Sequence, residues 1–489
     1  MKNLLYIFLM IIVLGACTKD DGNYDYIEPG EVDFTAIPDE VNAVLGENLS
    51  IAGDIKTNAK LDDLEFLWYT ETQWDNEAGY GTIHGKDTLS TEKDLNITVT
   101  LKPGNDISLR YLVYNNKLNV RYEKNIKVTV TTAFSKGWGF ITDKGNATDY
   151  SFIAELQDTV YYKDAISAID GELVKGKGIK LSYNWSRWDN YSYANILTET
   201  GGSYYDAFSL KKIQDFMDLW NSTSYLQLPF TGAFMDFNAF DLGQPFMMAN
   251  GMLYPKEGDL MEDNYWELPV EGDYEITGPM FASANERTIF FDSKNRRYVY
   301  LKTAWDVDVW TIRNFTLTNP ETYPFDPANV NKDLIWATNN VPFGEWVGEY
   351  PICSAVCKDA DGKFYMQLFM DDWDEGFTPL AEEELPAGMV DDNSVFASNG
   401  DFPYNYISKG NAIHRFNRNT KVFESNYITD LEGTITDMCT DTYGERLAVV
   451  IDNGAGSKVV FYDTQTEQRI GKAYESTDKI IDIKYKNDI

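Results

Sequence analysis

The stretch CKDADGKF at residues 357–364 has a counterpart in CTDTYGERL at residues 439–447. Cysteine, aspartate and glycine recur in both stretches at a constant offset of 82 residues. Aspartate and glycine at these spacings relax the backbone at a hairpin turn between two strands. The repetition therefore predicts that one strand–turn–strand unit is used more than once in this part of the chain.

A second echo has an offset of 46 residues. It links Phe416, Asn417 and Thr420 with Tyr462, Asp463 and Thr466, and Phe291 and Asp292 ahead of Asn295 are a further candidate copy. Propeller blades run to about 40–50 residues, so the shorter offset fits one blade and the longer one fits two. Residues 134–489 are strand-rich and could hold about seven blades with insertions. We therefore predict an all-β chain with a β-propeller-like domain there, in which Cys357 and Cys439 share one packing position on an inner strand.

Residues 31–133 show short strands separated by turns, with no sustained helical periodicity. The clearest strand patterns lie at 49–51, 65–69, 95–101, 109–114 and 126–130. NITVTL at residues 96–101 alternates apolar and polar side chains, as a half-buried strand does. About 100 residues of this kind predict an immunoglobulin-like sandwich, with Trp68 as a core ring on a central strand.

The first residues follow a secretory pattern, with one cation at Lys2 and an apolar run over residues 4–14. That run is shorter than the ~20 residues that a membrane-spanning helix needs. LGAC at residues 14–17 resembles the bacterial lipobox, which implies a signal peptide over 1–16 and a lipid on Cys17. An ordinary signal peptide with a chance cysteine is the alternative.

The polar segment 17–30 is expected to be a lipidated linker. TKDD at residues 18–21 resembles the surface-export signal of outer-membrane lipoproteins in Gram-negative bacteria with starch-utilisation-type systems. The alternative is a solvated linker without a sorting role. We expect an outer-membrane protein that faces outside and touches the membrane through its lipid anchor only.

Composition excludes one class of partner. The chain has 489 residues and a formal net charge of −35. Nucleic-acid binding needs clustered lysine and arginine, so no nucleic-acid partner is expected. Strong negative charge keeps a surface protein soluble. The 32 tyrosines and 12 tryptophans suit strands, and they suit binding faces equally well.

The sequence contains no recognisable catalytic motif. We find no HExxH, GxSxG, Walker or Rossmann pattern. His84 and His414 are too few for a histidine-based site, and the odd count of Cys353, Cys357 and Cys439 argues for packed thiols. The DADG stretch at 359–362 lacks the later ligands of a calcium loop, so a hairpin turn is expected. No metal, cofactor or catalytic residue is predicted, although the 77 acids leave a glycosidase-type carboxylate pair open.

Aromatic rings mixed with polar groups mark the candidate ligand-binding stretches. These are NWSRWDNY at 184–191, DDWDEGF at 371–377, and the segment from Trp336 to Trp346 around Asn339 and Asn340. Rings can stack on a sugar or an extended peptide while neighbouring carboxylates and amides bind its polar groups. The predicted binding residues are Trp185, Trp188, Trp373 and Asp374. The alternative is that these rings pack between blades.

Four short motifs in order resemble the PKD-like family of lipoproteins. They are GNYDY at 22–26, LGENL at 45–49, KGW at 136–138 and NGMLY at 250–254. The resemblance implies a PKD-like sandwich over 31–133. It also implies an accessory subunit that captures oligosaccharides or oligopeptides beside a TonB-dependent transporter of the SusC/SusD type. A glycan- or peptide-degrading propeller enzyme and a purely structural or adhesive surface protein remain the alternatives.

Overall fold

The protein is described by a computed structural model. It describes residues 31–75, 82–101, 103–155, 159–186, 191–220, 223, 226–231, 234–237, 245–256, 266, 268–283, 287–302, 311–338, 352–372, 376–398, 402–429 and 431–487. The chain divides into two compact units between Thr131 and Thr132. We call them unit 1 and unit 2.

Unit 1 is built from antiparallel strands of two to twelve residues and one parallel pair. Its strands are β1 (Val32–Asp33), β2 (Glu40–Val44), β3 (Asn48–Ile51), β4 (Lys56–Thr57), β5 (Leu64–Asp75), β6 (Thr82–Ser90), β7 (Leu95–Thr98), β8 (Gly104–Asn115) and β9 (Val120–Thr131). The main sheet has the order β2-β9-β8-β5-β6, and β3 pairs with β7. Strand β2 runs parallel to β9, and the other neighbours in that sheet are antiparallel.

Trp68 on β5 lies at the centre of the unit 1 core, as the sequence predicts. Its ring is fully buried and stacks on Tyr111 of β8 at a centroid distance of 4.0 Å. Its indole Nε1 donates hydrogen bonds to the carbonyls of Glu92 and Lys93 at 3.1 and 3.2 Å. The ring is therefore held both by packing and by a satisfied polar tip.

Unit 2 contains seven sheets in its described part, and we number them along the chain. Sheet 1 contains β10 (Gly137–Asp143), β11 (Ala147–Glu155), β12 (Thr159–Tyr162), β13 (Val174–Lys175) and β37 (Ile480–Lys486). Sheet 2 contains β14 (Gly178–Ser186), β15 (Tyr191–Thr198), β16 (Gly201–Asp206) and β17 (Lys212–Asp215). Sheet 3 contains β18 (Phe234–Phe237), β19 (Pro245–Ala249) and β20 (Met252–Pro255). Sheet 4 contains β21 (Ile276–Ser283), β22 (Arg287–Asp292), β23 (Arg297–Lys302) and β24 (Arg313–Asn314).

Sheets 5 to 7 have four strands each. Sheet 5 contains β25 (Asp333–Thr338), β26 (Cys353–Lys358), β27 (Phe364–Asp372) and β28 (Gly376–Glu384). Sheet 6 contains β29 (Phe396–Ser398), β30 (Tyr404–Lys409), β31 (Ala412–Asn417) and β32 (Val422–Ile428). Sheet 7 contains β33 (Thr434–Thr440), β34 (Arg446–Asp452), β35 (Ser457–Asp463) and β36 (Arg469–Ser476).

Helical structure is sparse in the described residues. Helix α1 (Ala165–Asp170) lies between β12 and β13, and single 3₁₀ turns lie at Leu61–Asp63, Phe216–Leu219 and Pro320–Thr322. Among these residues, no helix combines the length and the apolar character that crossing a membrane requires.

Sheets 2 to 7 are antiparallel meanders whose strands pair in chain order, whereas sheet 1 joins the two ends of unit 2. Strand β37 pairs with β10, with Trp138 opposite Tyr485. The first strands of neighbouring sheets contact each other: β14 contacts β18, β18 contacts β21, β21 contacts β25, and β29 contacts β33. Strand β37 fills the gap between the first strands of sheets 7 and 2, because it contacts both β33 and β14. Strand β37 therefore takes the first-strand position in sheet 1. The fold of unit 2 is all-β and propeller-like.

The two sequence echoes differ in their structural meaning. The 46-residue echo joins equivalent turns, because Asn417 and Asp463 both end third strands. The 82-residue echo does not, since Cys357 lies on the second strand of sheet 5 and Cys439 on the first strand of sheet 7. The predicted shared position of these cysteines is therefore wrong. The similarity arises because Gly362 and Gly444 each supply the positive φ, 81° and 69°, that their hairpin turns need.

The candidate copy at Asp292 also lies at a non-equivalent turn. It connects the second and third strands of sheet 4, whereas the 46-residue echo connects third and fourth strands. Its turn chemistry is nevertheless the same, because the Asp292 carboxylate accepts the backbone N–H of Asn295 at 3.3 Å. Local turn chemistry thus repeats more often than the position within a sheet does.

Candidate functional site

The predicted ligand-binding residues lie largely beyond what the structure describes. Trp188, Trp373 and Asp374 are outside the described residues, and so is the predicted lipidation site Cys17. Trp185 is the penultimate residue of β14, but its side chain is outside the described part.

Two aromatic residues of the candidate binding stretches, Trp336 and Phe377, pack against other aromatic rings of the fold. The Trp336 ring is half-buried and stacks on Phe396 of the next sheet, with centroids 5.2 Å apart. Phe377 is buried and lies 4.7 Å from Phe369 and 4.5 Å from Phe315, measured between ring centroids. For these two rings the packing alternative is the correct one.

The candidate binding stretches at 184–191 and 371–377 lie at corresponding ends of sheets 2 and 5. Residues 187–190 connect the first and second strands of sheet 2, and residues 373–375 connect the third and fourth strands of sheet 5. In an antiparallel meander the strand direction alternates, so the first–second and third–fourth connections lie at the same end of the sheet. Residues 339–351, which include Trp346, also connect a first strand to a second.

A cluster of charged side chains lies where the first strands of sheets 7, 1 and 2 meet. We call Asp437 on β33, Asp482 and Lys484 on β37, and Lys180 on β14 the axial cluster. The Lys180 Nζ lies 2.9 Å from an Asp482 carboxylate oxygen, and the Lys484 Nζ lies 3.8 Å from it. The Asp482 side chain is 5 % exposed, whereas those of Lys180 and Lys484 are 27 % and 34 % exposed.

Each aspartate of the axial cluster reaches a backbone N–H of the next sheet. The Asp437 carboxylate accepts the N–H of Ile483 at 2.9 Å, and the Asp482 carboxylate accepts the N–H of Leu181 at 2.8 Å. Two successive junctions between sheets therefore use the same side-chain-to-backbone hydrogen bond.

Asp437 and Asp482 occupy equivalent positions in their strands, because each follows the same irregularity in strand pairing. The strand register shifts immediately before Lys180, Trp336, Asp437 and Asp482. A bulge of this kind re-aims the side chain that follows it. The sequence analysis missed this position, although its signal is visible as ITDM at 435–438 and IIDI at 480–483.

The two aspartates of the cluster have pKa values displaced in opposite directions. Burial, together with the neighbouring Asp482, raises the pKa of Asp437 to about 6. Burial alone would also raise the pKa of Asp482, but the ammonium groups of Lys180 and Lys484 outweigh it and lower that pKa. Of the two aspartates, Asp437 is therefore the one that takes up a proton at the higher pH.

A second polar network fastens sheet 7 to sheet 1. The Arg446 guanidinium donates to Glu155 at 3.0 Å and to Asp441 at 2.8 Å. Glu155 also accepts the Trp138 indole N–H at 3.0 Å and the Tyr485 hydroxyl at 2.9 Å. Burial opposes ionisation of Glu155, but these bonds, led by those from Arg446, lower its pKa. All of its contacts are structural, and they join β11, β10, β37 and β34.

The cysteines and the described histidine behave as packed residues. Cys353, Cys357 and Cys439 are free thiols, and Cys439 is only partly buried. Burial raises the pKa of Cys357 to about 12 and that of Cys439 to about 11, so both stay protonated. His414 is buried, which lowers its pKa, and its Nδ1 accepts the N–H of Asn426.

The DADG stretch forms a hairpin turn, as predicted. The Asp359 carboxylate accepts the backbone N–H groups of Asp361 and Lys363 at 2.9 Å each. These bonds, with the one from Lys363 foremost, lower its pKa. Within the described ranges, no three histidine, cysteine, aspartate or glutamate side chains group so as to hold a metal ion.

Comparisons with known proteins give one family match and several distant structures. No curated protein matches this chain. A quinonprotein alcohol dehydrogenase-like protein from Bacteroides thetaiotaomicron is 12% identical, with 94% of this chain and 99% of that chain covered and a TM-score of 0.43. A putative 6-phosphogluconolactonase from Bacteroides uniformis is 10% identical, with coverages of 72% and 99% and a TM-score of 0.45. TolB from Acinetobacter baumannii is 9% identical, with coverages of 79% and 81% and a TM-score of 0.37.

The family match is to the PKD-like family and covers residues 17–178. It begins at Cys17 and runs past the division at Thr131 to the first residue of β14. The matched segment thus includes unit 1 and strands β10 to β13 of unit 2. The amino-terminal third of this chain is accordingly similar to the PKD-like family.

Proposed function

We propose that the protein is a surface-exposed outer-membrane lipoprotein that captures oligosaccharides or oligopeptides for a TonB-dependent transporter of the SusC/SusD type, without catalysing a reaction. The observation that carries the proposal is LGAC followed by TKDD at residues 14–21. The start of the PKD-like match at Cys17 supports it, because the matched family segment begins where the mature lipoprotein would begin.

The architecture that suits this role is an immunoglobulin-like sandwich in unit 1 followed by a closed seven-bladed propeller in unit 2. The contacts between successive first strands support closure, and the Trp336–Phe396 stack connects sheets 5 and 6. The insertion of β37 beside β10 joins the two ends of the ring. Each of the seven sheets would then be one blade.

The ligand face of this propeller would be the end that carries the first–second and third–fourth connections. Trp185, Trp188, Trp373 and Asp374 all lie in or beside such connections. In a closed propeller the first strands of all blades run in the same sense, so these connections share one face. Rings and carboxylates from two blades could then contact one extended ligand.

Lipidation is tested by labelling with palmitate. We expect the label on the wild-type protein and none on Cys17→Ser, since the thiol is the only acceptor in the LGAC motif. The wild-type protein should also co-purify with a transporter from solubilised outer membrane. A mature protein with an unmodified thiol, or one that never accompanies a transporter, would contradict the proposal.

Ligand capture is tested with a panel of glycans and peptides. Trp185→Ala and Trp373→Ala should each weaken binding of the panel member that the wild-type protein binds. The expected loss of affinity is about tenfold or more, because stacking rings at the centre of an interface contribute ~2 kcal/mol or more. Tyr323→Ala is the matched control, since this exposed ring lies in the connection between sheets 4 and 5 at the other end of the meander. Unchanged affinity in both tryptophan variants would exclude these residues, and binding to neither ligand class would favour an adhesive protein.

One observation favours the enzyme alternative. Neighbouring carboxylates whose environments displace their pKa values in opposite directions suit a general acid and its partner, and Asp437 and Asp482 are such a pair. Both nevertheless accept backbone N–H groups, which supports a structural role. The enzyme hypothesis requires glycan or peptide turnover by the purified protein, abolished in Asp437→Asn.

A further inference from the structure

We propose that Asp437, Asp482, Lys180 and Lys484 form a proton-operated latch that holds the carboxyl-terminal strand β37 between β33 and β14. The inference is independent of the proposed ligand capture. It concerns how unit 2 keeps β37 in place, since this strand completes sheet 1.

The latch stands on the geometry of the three strands. Strands β33, β37 and β14 contact one another in succession as first strands of their sheets. Asp437 reaches forward to the N–H of Ile483, and Asp482 reaches forward to the N–H of Leu181. Two carboxylates thus hold β37 in place: Asp482 of β37 itself and Asp437 of β33.

The charges around Asp437 set the response to protons. It faces Asp482 and Lys484 of β37 and Lys180 of β14, its own strand adds the neutral thiol of Cys439, and its cross-strand partner on β34 is the uncharged Val450. Asp482 is the repelling neighbour, and it is kept ionised by the two lysines. Adding a proton to Asp437 removes first the cost of burying its charge and then this repulsion, while its oxygen can still accept the Ile483 N–H.

The direction of the effect follows from linkage. The folded pKa of Asp437, about 6, lies above the ordinary value of a carboxyl group, so the latched state binds the proton more tightly than the released state does. The latch is therefore tightest at acid pH. Its additional stability is lost as the pH rises through about 6, and below ~4 the gain levels off because the released state is protonated as well.

Hydrogen exchange of the Ile483 and Leu181 amides in the full-length protein measures the latch. After correction for intrinsic exchange rates, we expect protection to rise about tenfold from pH 8 to pH 5, because pH 5 lies one unit below the folded pKa of Asp437 and each unit corresponds to a factor of ten. Asp437→Asn, whose amide oxygen can still accept the Ile483 N–H, should lose this pH dependence, although its amide nitrogen cannot accept the Met438 N–H that the second carboxylate oxygen binds. Asp437→Ser removes the charge and, because its hydroxyl lies one bond closer to the backbone, also the hydrogen bond from Ile483, so it should lose the pH dependence together with part of the protection.

Asp463→Asn is the matched control. Asp463 also binds backbone N–H groups, those of Gln465 and Thr466, but the latter bond lowers its pKa, so it stays ionised from pH 5 to pH 8. This variant should keep the wild-type pH response. The comparison is needed because relief of the overall charge of −35 also stabilises an acidic protein at low pH. An Asp437→Asn protein with the wild-type pH response, or wild-type protection that falls toward pH 5, would overturn the latch.

Discussion

A chain that ends after Asp478 is expected to lose the folded state of unit 2. The deletion removes β37, which completes sheet 1 at β10. Ile480 and Ile483 of this strand are almost fully buried and pack with Trp138 and Phe461. Removing a buried isoleucine side chain costs roughly 2–5 kcal/mol, so two of them approach the roughly 5–15 kcal/mol by which a domain is stable.

Circular dichroism and hydrogen exchange of β10 and β34 would measure this loss, and a chain that ends after Lys486 provides the control. The control removes only the three residues that follow β37. It should fold like the wild type, which would separate the contribution of β37 from a general effect of shortening the chain. A truncation after Asp478 that still unfolds cooperatively at the wild-type denaturant concentration would show that sheet 1 closes without β37.

Replacing Trp68 by alanine should lower the free energy of unfolding of unit 1 by roughly 3–5 kcal/mol, the usual cost of removing a buried aromatic side chain. The variant loses the stack on Tyr111 and leaves the carbonyls of Glu92 and Lys93 without the indole donor. Trp68→Phe should cost less, because it keeps one aromatic ring in the core, although it loses the indole hydrogen bonds and part of the ring volume.

Denaturant unfolding of the full chain, with hydrogen exchange of β5 and β8, measures the effect on unit 1 alone. Leu61→Ala is the control, because this side chain is 56% exposed and its truncation should change stability by no more than ~0.5 kcal/mol. Protection of β5 and β8 that is unchanged in Trp68→Ala would contradict the central place of this ring in the core.

Local features of the sequence predicted local features of the structure. Alternation and β-branched residues predicted the strands of unit 1, and Asp359 with Gly362 predicted a turn, because both depend on neighbours in the chain. The candidate binding residues came from the same local reasoning, and Trp336 shows its limit. Its polar surroundings in sequence did not reveal that the ring stacks on Phe396 of another sheet.

The sequence by itself determined the all-β class, the turn chemistry and the core position of Trp68. Only the tertiary structure decided that Cys357 and Cys439 occupy different strands, that β37 completes sheet 1, and that Asp437 and Asp482 are equivalent. The physical reason is distance along the chain. A turn is fixed by residues a few positions apart, whereas the pairing of β37 with β10 joins residues more than 300 positions apart. Such a pairing is selected by burial and hydrogen bonding across the whole unit, which no single stretch of sequence contains.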